Sequence, residues 1–235
     1  MNSRPASVLA EDLADQRLEA LARLLAAVLP CTDRVSLGLL ELLAAGQPVA
    51  PRDLAAALNA TAPGVAAPSV SDAQVEAMVS NALQRMPNIE FDAQGRIVGC
   101  GLTLVPTAHE IDFAGAGLYT WCAFDTALFP LVLGRRAEVR SRCYATGVPI
   151  RCSVGPDGLE MVTPTGAMIS LVVPDQLTGC CDVRGSFCRY VHFFESPAAA
   201  STWRTRHEAG DLVSVAEAHA IARRIVTLQD VQVGC

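Results

Sequence analysis

The chain has 235 residues, 51% of them hydrophobic and 18% charged, with a formal net charge of −6. This composition excludes a disordered chain and allows one large domain or two small ones with a sizeable core. The acidic balance disfavours tight nonspecific nucleic-acid binding, which relies on cations neutralising phosphates. No apolar stretch approaches the about 20 residues that a membrane-spanning helix needs.

In chain order, leucines 9, 13, 18, 21, 25 and 29 recur at helical spacing over residues 7–29, and Pro30 ends that helix. The acidic residues Glu11, Asp12 and Asp15 and the interrupting Arg23 do not fit a signal peptide, which points to a cytoplasmic protein. A second helix is expected at 33–45, N-capped by Thr32 or Asp33 and stopped at Gly46. A short helix at 51–59 follows, with Pro51 in its first turn. Residues 60–69 read as a loop, and Ser71-Asp72 opens a helix to about Met86. Residues 88–100 then read as a hairpin about Asp92-Ala93-Gln94-Gly95. Three helices and a hairpin are the order of a winged helix-turn-helix.

From about 103 the chain turns strand-like, with β-rich runs at 108–113, 137–144, 148–154, 167–173 and 186–194. Turn signals separate them at Thr146-Gly147, Pro156-Asp157-Gly158 and Pro164-Thr165-Gly166. Residues 122–133 read as a short buried helix, and 197–208 and 213–229 return to helical periodicity. The expected class is α+β: a winged-helix-like helical N-terminal domain, then a mixed domain with antiparallel sheets and flanking helices. The expected divisions are an N-terminal helix at 1–30, the winged-helix-like domain at 31–102 and a catalytic domain at 103–235.

Nine cysteines stand at 31, 100, 122, 143, 152, 180, 181, 188 and 235. An odd count without a secretion signal does not read as a disulfide framework. In the segment 118–130, Cys122 and Asp125 lie three apart, which places them on one face if a helix begins there. A cysteine at a helix N-terminus meets the positive end of the dipole and favours thiolate. Trp121, Phe124, Leu128 and Phe129 form an apolar wall that would raise the pKa of an unpaired carboxyl. The same residues also fit a buried structural cysteine with Asp125 capping the helix.

In 183–196, a strand would put Cys188, Tyr190, His192 and Phe194 on one face and Phe187, Val191 and Phe193 on the other. Here too core packing is an alternative. A zinc site from Cys180, Cys181, Cys188 and His192 matches the usual ligand spacings poorly. Cys143 and Cys152 flank an expected turn, where they could pair, bind metal or simply pack.

Together these segments resemble the organomercurial (alkylmercury) lyase family. The strings that carry the resemblance are GCGLTLVPTAHEI at 99–111, LYTWCAFDTALFP at 118–130, RCYATGVPI at 142–150 and DVRGSFCRYVHFF at 182–194. The resemblance runs from about Pro48 to the helix after 197. It implies a winged-helix-like domain joined to a mixed catalytic domain, two mercury-binding cysteines at Cys122 and Cys188, and a proton-handling aspartate at Asp125. Trp121, Phe124 and Phe187 become candidates for pocket walls. The chain departs from many relatives in carrying Arg189 where they have a second cysteine, and in its Cys180-Cys181 pair.

The implied reaction is protonolysis of a carbon–mercury bond, giving a hydrocarbon and Hg(II). Soft thiolates suit a soft metal, and a carboxyl must be held protonated near neutral pH to deliver a proton. No metal cofactor is expected, because mercury enters as part of the substrate. The expected partners are the organomercurial, small cytosolic thiols, and mercuric reductase as acceptor of Hg(II).

Two other classes compete. A metal- or redox-responsive transcription regulator would use the 33–100 region. Across 51–100, however, Arg52, Arg85 and Arg96 are outnumbered by Asp53, Asp72, Glu76, Glu90 and Asp92, so nucleic acid is not expected as a partner, and without a spanning stretch neither is a membrane. A passive thiol carrier of metal would have no need of Asp125.

Overall fold

A computed structural model describes residues 6–27, 33–60, 71–86, 88–172 and 182–233. The chain begins with helices α1 (Ala6–Ala26), α2 (Arg34–Leu43), α3 (Pro51–Ala60) and α4 (Asp72–Arg85). Their starts follow local chemistry. Asp33 caps α2, its carboxylate accepting from the amides of Val35 and Ser36 at 3.1 and 3.0 Å. Ser71 and Gln74 form a capping box on α4. The expected loop at 60–69 falls almost entirely outside the described residues.

The hairpin follows as β1 (Glu90–Phe91) and β2 (Ile97–Cys100), turning at Gly95 with φ +74°. Next come β3 (Leu102–Thr103), β4 (Glu110–Phe113), β5 (Ala116–Thr120), α5 (Asp125–Val132), β6 (Ala137–Arg142), β7 (Pro149–Gly155) and β8 (Gly158–Thr163). The strands form one antiparallel sheet in the order β1-β2-β3-β5-β4-β6-β7-β8. It is continuous across residues 102 and 103, so the hairpin is paired into the same sheet as the strands that follow.

The chain continues with β9 (Met168–Leu171), α6 (Val183–Ser186), a 3-10 turn at Cys188–Tyr190, β10 (Phe193–Phe194), α7 (Ser201–Arg206), β11 (Asp211–Ser214) and α8 (Val215–Val233). The second sheet is antiparallel, in the order β10-β9-β11. The fold is thus α+β with helices and antiparallel sheets.

Several elements differ from the sequence reading, which named no strand at β5 or β8. The strand expected at 186–194 shrinks to Phe193–Phe194, because Cys188–Tyr190 coil into a 3-10 turn. The helix expected from 122 begins at Asp125. Residues 211–214 form β11, and α8 opens only afterwards, where Ser214 and Glu217 exchange cap hydrogen bonds. The core spans both sheets and reaches α1 through Leu21, Ala22 and Leu25.

Candidate active site

Strand β5 ends at Thr120, and residues 121–124 turn sharply before α5. The turn is held at several points. The Trp121 amide donates to the Gly101 carbonyl at 2.9 Å. The Thr120 hydroxyl donates to the Cys122 carbonyl at 2.9 Å. The Thr126 hydroxyl donates to the Ala123 carbonyl at 2.7 Å. Asp125, in the first turn of α5, reaches back so that its Oδ2 accepts from the Cys122 amide at 3.1 Å. The carboxyl is therefore folded over the start of the helix beside the thiol.

Cys188 arrives from another direction, in the 3-10 turn between α6 and β10. The residues after it are tied to β9. The Ser170 hydroxyl donates to the Tyr190 carbonyl at 2.9 Å, and the Ser170 amide donates to the His192 carbonyl at 3.0 Å. The Ala123 amide donates to the Val191 carbonyl at 3.3 Å, which joins the two cysteine-bearing segments directly.

The result is a convergence. One ligating atom each from Cys122, Asp125 and Cys188 lies within 4.8 Å of the other two. All three are buried: Cys122 is 0% exposed, Asp125 3% and Cys188 3%. Phe124 and Phe187 pack edge to face, with ring centroids 6.3 Å apart. Trp121 is half-buried.

Burial is the largest influence on the protonation of Asp125 and Cys122. It pushes the Asp125 carboxyl up to about 7, against hydrogen bonds from the Cys122 thiol and amide and the Trp121 amide that pull it down. Burial, a hydrogen bond from Cys122 to Cys188 and the Asp125 charge hold the Cys122 thiol well above its ordinary value. That same hydrogen bond lowers Cys188, but burial and the Asp125 charge outweigh it, and Cys188 also ends raised. Thiolate favoured by a helix N-terminus is therefore not what Cys122 experiences. It precedes α5 and has lost its water, and that loss outweighs the dipole.

The other candidates are placed elsewhere. Among the described residues the Cys122, Asp125 and Cys188 group is the metal-capable cluster, and His192 is not part of it. His192 stacks on Tyr144 at 3.9 Å, and burial and the neighbouring His207 push its pKa down to about 4. Cys31, Cys180, Cys181 and Cys235 lie outside the described residues. Cys143 and Cys152 are both free and buried, and the hairpin register sets Cys152 opposite Val139. Burial raises the Cys143 thiol, but hydrogen bonds from Thr146, Glu195 and Ala145 leave it lower than usual.

Sequence reasoning passed over Glu90, Thr103 and Arg184. Glu90 Oε2 accepts from Trp121 Nε1 at 3.1 Å and from the Thr103 hydroxyl at 2.5 Å, while Oε1 pairs with Arg184. Arg184 also lies over the Trp121 ring, 5.2 Å from its centroid. No local pattern marks such a group, because its members come from four separate elements.

Comparison with known proteins bears on this geometry. The sequence profile of the alkylmercury lyase family matches residues 102–227. An alkylmercury lyase of Bacillus cereus is 44% identical over 149 residues, covering 63% of this chain and 67% of that protein. One from Staphylococcus epidermidis is 40% identical over 187 residues, 80% of this chain and 79% of that protein. One from Streptomyces lividans is 41% identical over 185 residues, 79% and 78% respectively. The crystal structure of the mercury-bound form of MerB2 superposes with a TM-score of 0.65 at 26% identity, covering 90% of this chain and 98% of that one. On the matched residues and the extent of these identities, the chain belongs to the alkylmercury lyase family.

Proposed function

We propose that the chain is an organomercurial lyase that cleaves the carbon–mercury bond by protonolysis, with Cys122 and Cys188 as mercury ligands and Asp125 as proton carrier. One observation carries the assignment of roles: two thiols and one carboxyl meet within 4.8 Å in a site shut off from water.

The chemistry follows from the proton count. An organomercurial RHgX first exchanges X for the Cys122 sulfur, and HX leaves. Asp125, its pKa raised to about 7 so that it is partly ionised at neutral pH, takes the proton of the Cys188 thiol. The Cys188 thiolate then joins mercury. Asp125 returns the proton to carbon, the C–Hg bond breaks, and RH departs. Hg(II) remains on Cys122 and Cys188, with Asp125 alongside. The balance is RHgX plus two thiols giving RH, HX and a mercury bis-thiolate.

Two features support this sequence. A carboxyl with a pKa near the working pH both accepts and donates a proton with little bias. Neutral buried thiols lose their protons when a soft metal replaces them. Phe124 and Phe187 serve as apolar walls beside the ligands, and Trp121 joins them.

Mercury arrives with the substrate, so no resident metal cofactor is needed. Small cytosolic thiols and mercuric reductase are the proposed acceptors of Hg(II), since a bis-thiolate site releases its metal by thiol exchange. We place the activity in the cytoplasm. The described cysteines are free, as a reducing compartment would keep them, and no described helix is long and apolar enough to cross a membrane. The helices and hairpin of residues 33–100 act in this reading as a winged-helix-like scaffold rather than a DNA reader.

The test separates capture from cleavage. Cys188→Ala should abolish methane release from methylmercury, and normal turnover would sink the two-sulfur clamp. Asp125→Ala should slow single-turnover protonolysis by at least about 100-fold while mercury is still captured. Lost capture with normal chemistry per bound substrate would make Asp125 a ligand instead.

A further inference from the structure

One carboxylate touches both arms of the clamp. Glu90 sits on β1, with a side chain only 15% exposed. Its Oε2 accepts from Nε1 of Trp121, the residue immediately before Cys122. Its Oε1 pairs with the guanidinium of Arg184, four residues before Cys188. The Arg184 guanidinium closes the triangle over the Trp121 ring. A second tie runs alongside. Asn88 Nδ2 donates to Asp182 Oδ1 at 3.0 Å, and the Arg184 amide donates to Asn88 Oδ1 at 3.4 Å.

The fold makes room for this carboxylate. Glu90 faces Gly99 across the β1–β2 pair. A Cβ at position 99 would lie 2.0 Å from Glu90 Oε2 and 2.7 Å from the Thr103 hydroxyl oxygen. Glycine there leaves the space through which the carboxylate reaches Trp121.

We propose that Glu90 is a positioning residue for the mercury clamp: one oxygen holds Trp121, the other holds Arg184, and together they set the separation of the Cys122 and Cys188 sulfurs. The inference rests on the reading of those cysteines as the mercury pair. A linear bis-thiolate tolerates little error in that separation, because both sulfurs must reach one ion from opposite sides. Misplacement by about 1 Å commonly slows a positioned reaction by about 100-fold. Removing Glu90 also leaves the Trp121 N–H, the Thr103 hydroxyl and Arg184 without their shared acceptor. Capture by the first sulfur needs no such alignment and is left intact.

The experiment compares the full-length chain with Glu90→Ala, Glu90→Gln and Gly99→Ala, each loaded with phenylmercury. Three quantities are read: phenylmercury bound per chain, the single-turnover rate of benzene release, and the dithiothreitol concentration that strips half of the Hg(II) product. Glu90→Ala should bind one phenylmercury per chain, as wild type does. Its benzene release should be about 10- to 100-fold slower, and it should lose Hg(II) at a dithiol concentration about tenfold lower. Gly99→Ala, which displaces the carboxylate without deleting it, should behave alike. Glu90→Gln keeps an acceptor for Trp121 but lacks the ion pair, and should fall between.

A purely structural Glu90 would lower the melting temperature yet leave release rate and Hg(II) retention unchanged in the folded fraction, and that result overturns the inference. If Glu90→Ala does not fold, wild-type release and retention in both Glu90→Gln and Gly99→Ala overturn it equally. A wild-type chain that releases no benzene overturns the clamp reading itself, and this inference with it. A competent wild type with an indifferent Glu90 overturns only the inference.

Discussion

Asp125 shows how one residue's surroundings create chemistry that its type does not have. An exposed aspartate is ionised at neutral pH, but burial beside two thiols lifts this carboxyl to about 7 from an ordinary 3.8. The linkage has a definite sign. A folded-state pKa above the unfolded one means the folded chain holds the extra proton between those values. Stability therefore falls as pH rises from about 4 to about 7, and the full penalty, on the order of a few kcal/mol, stands above that. Asp125→Asn keeps an acceptor for the Cys122 amide and removes the titration. Its melting temperature should gain on that of wild type between about pH 4 and pH 7 in calorimetry and level off above that. A gap that does not change with pH would show that the carboxyl is not held protonated. The residue type and its spacing from Cys122 are visible in the sequence, but its pKa is not, since burial comes from residues far along the chain.

At the scale of elements, a turn and a helix cooperate through one glycine. Gly101 has φ +79°, accepts the Trp121 amide and leaves space for Phe129 of α5. A Cβ there would lie 2.5 Å from the Phe129 Cζ. Gly101→Ala should therefore cost about 1–3 kcal/mol in urea unfolding and slow hydrocarbon release, because Phe129 shares α5 with Asp125. Ser71→Ala is the contrasting case. It removes the capping box of α4, on an exposed stretch, and should cost about 1 kcal/mol with single-turnover rates unchanged. Helix starts such as Ser71 and Asp33 are legible in the sequence because cap and amide are neighbours. The Cys188 segment was not. Its alternating residues suggest a strand, yet only Phe193 and Phe194 pair with β9, and Cys188 turns inward in a 3-10 coil.

For the whole molecule, the N-terminal helix is anchored at the far end of the chain. Arg224 of α8 pairs with Asp15 and Glu19 of α1, Arg17 pairs with Asp211 at 2.6 Å, and Gln229 donates to the Ala26 carbonyl at 3.3 Å. Exposed pairs like these contribute little singly. Burial of Leu25, fully shielded from solvent, contributes more. Leu25→Ala should cost about 2–5 kcal/mol and lower the melting temperature, while release of hydrocarbon per folded molecule stays at the wild-type rate. A matching fall in that rate would mean α1 helps to shape the site through α8, which packs on α5.

By itself the sequence determined the order of the main helices, the hairpin at 88–100, the α+β class, and the family strings that single out Cys122, Cys188 and Asp125. These are local properties: periodicity, caps, turns and contiguous motifs leave their record in neighbouring residues. Only the tertiary structure decided that the hairpin joins the main sheet, that both thiols stay neutral, and that Glu90 reaches Trp121 and Arg184 at once. Burial and charge pairing depend on distance in space, and residues 90, 121 and 184 become neighbours only when the chain has folded around them.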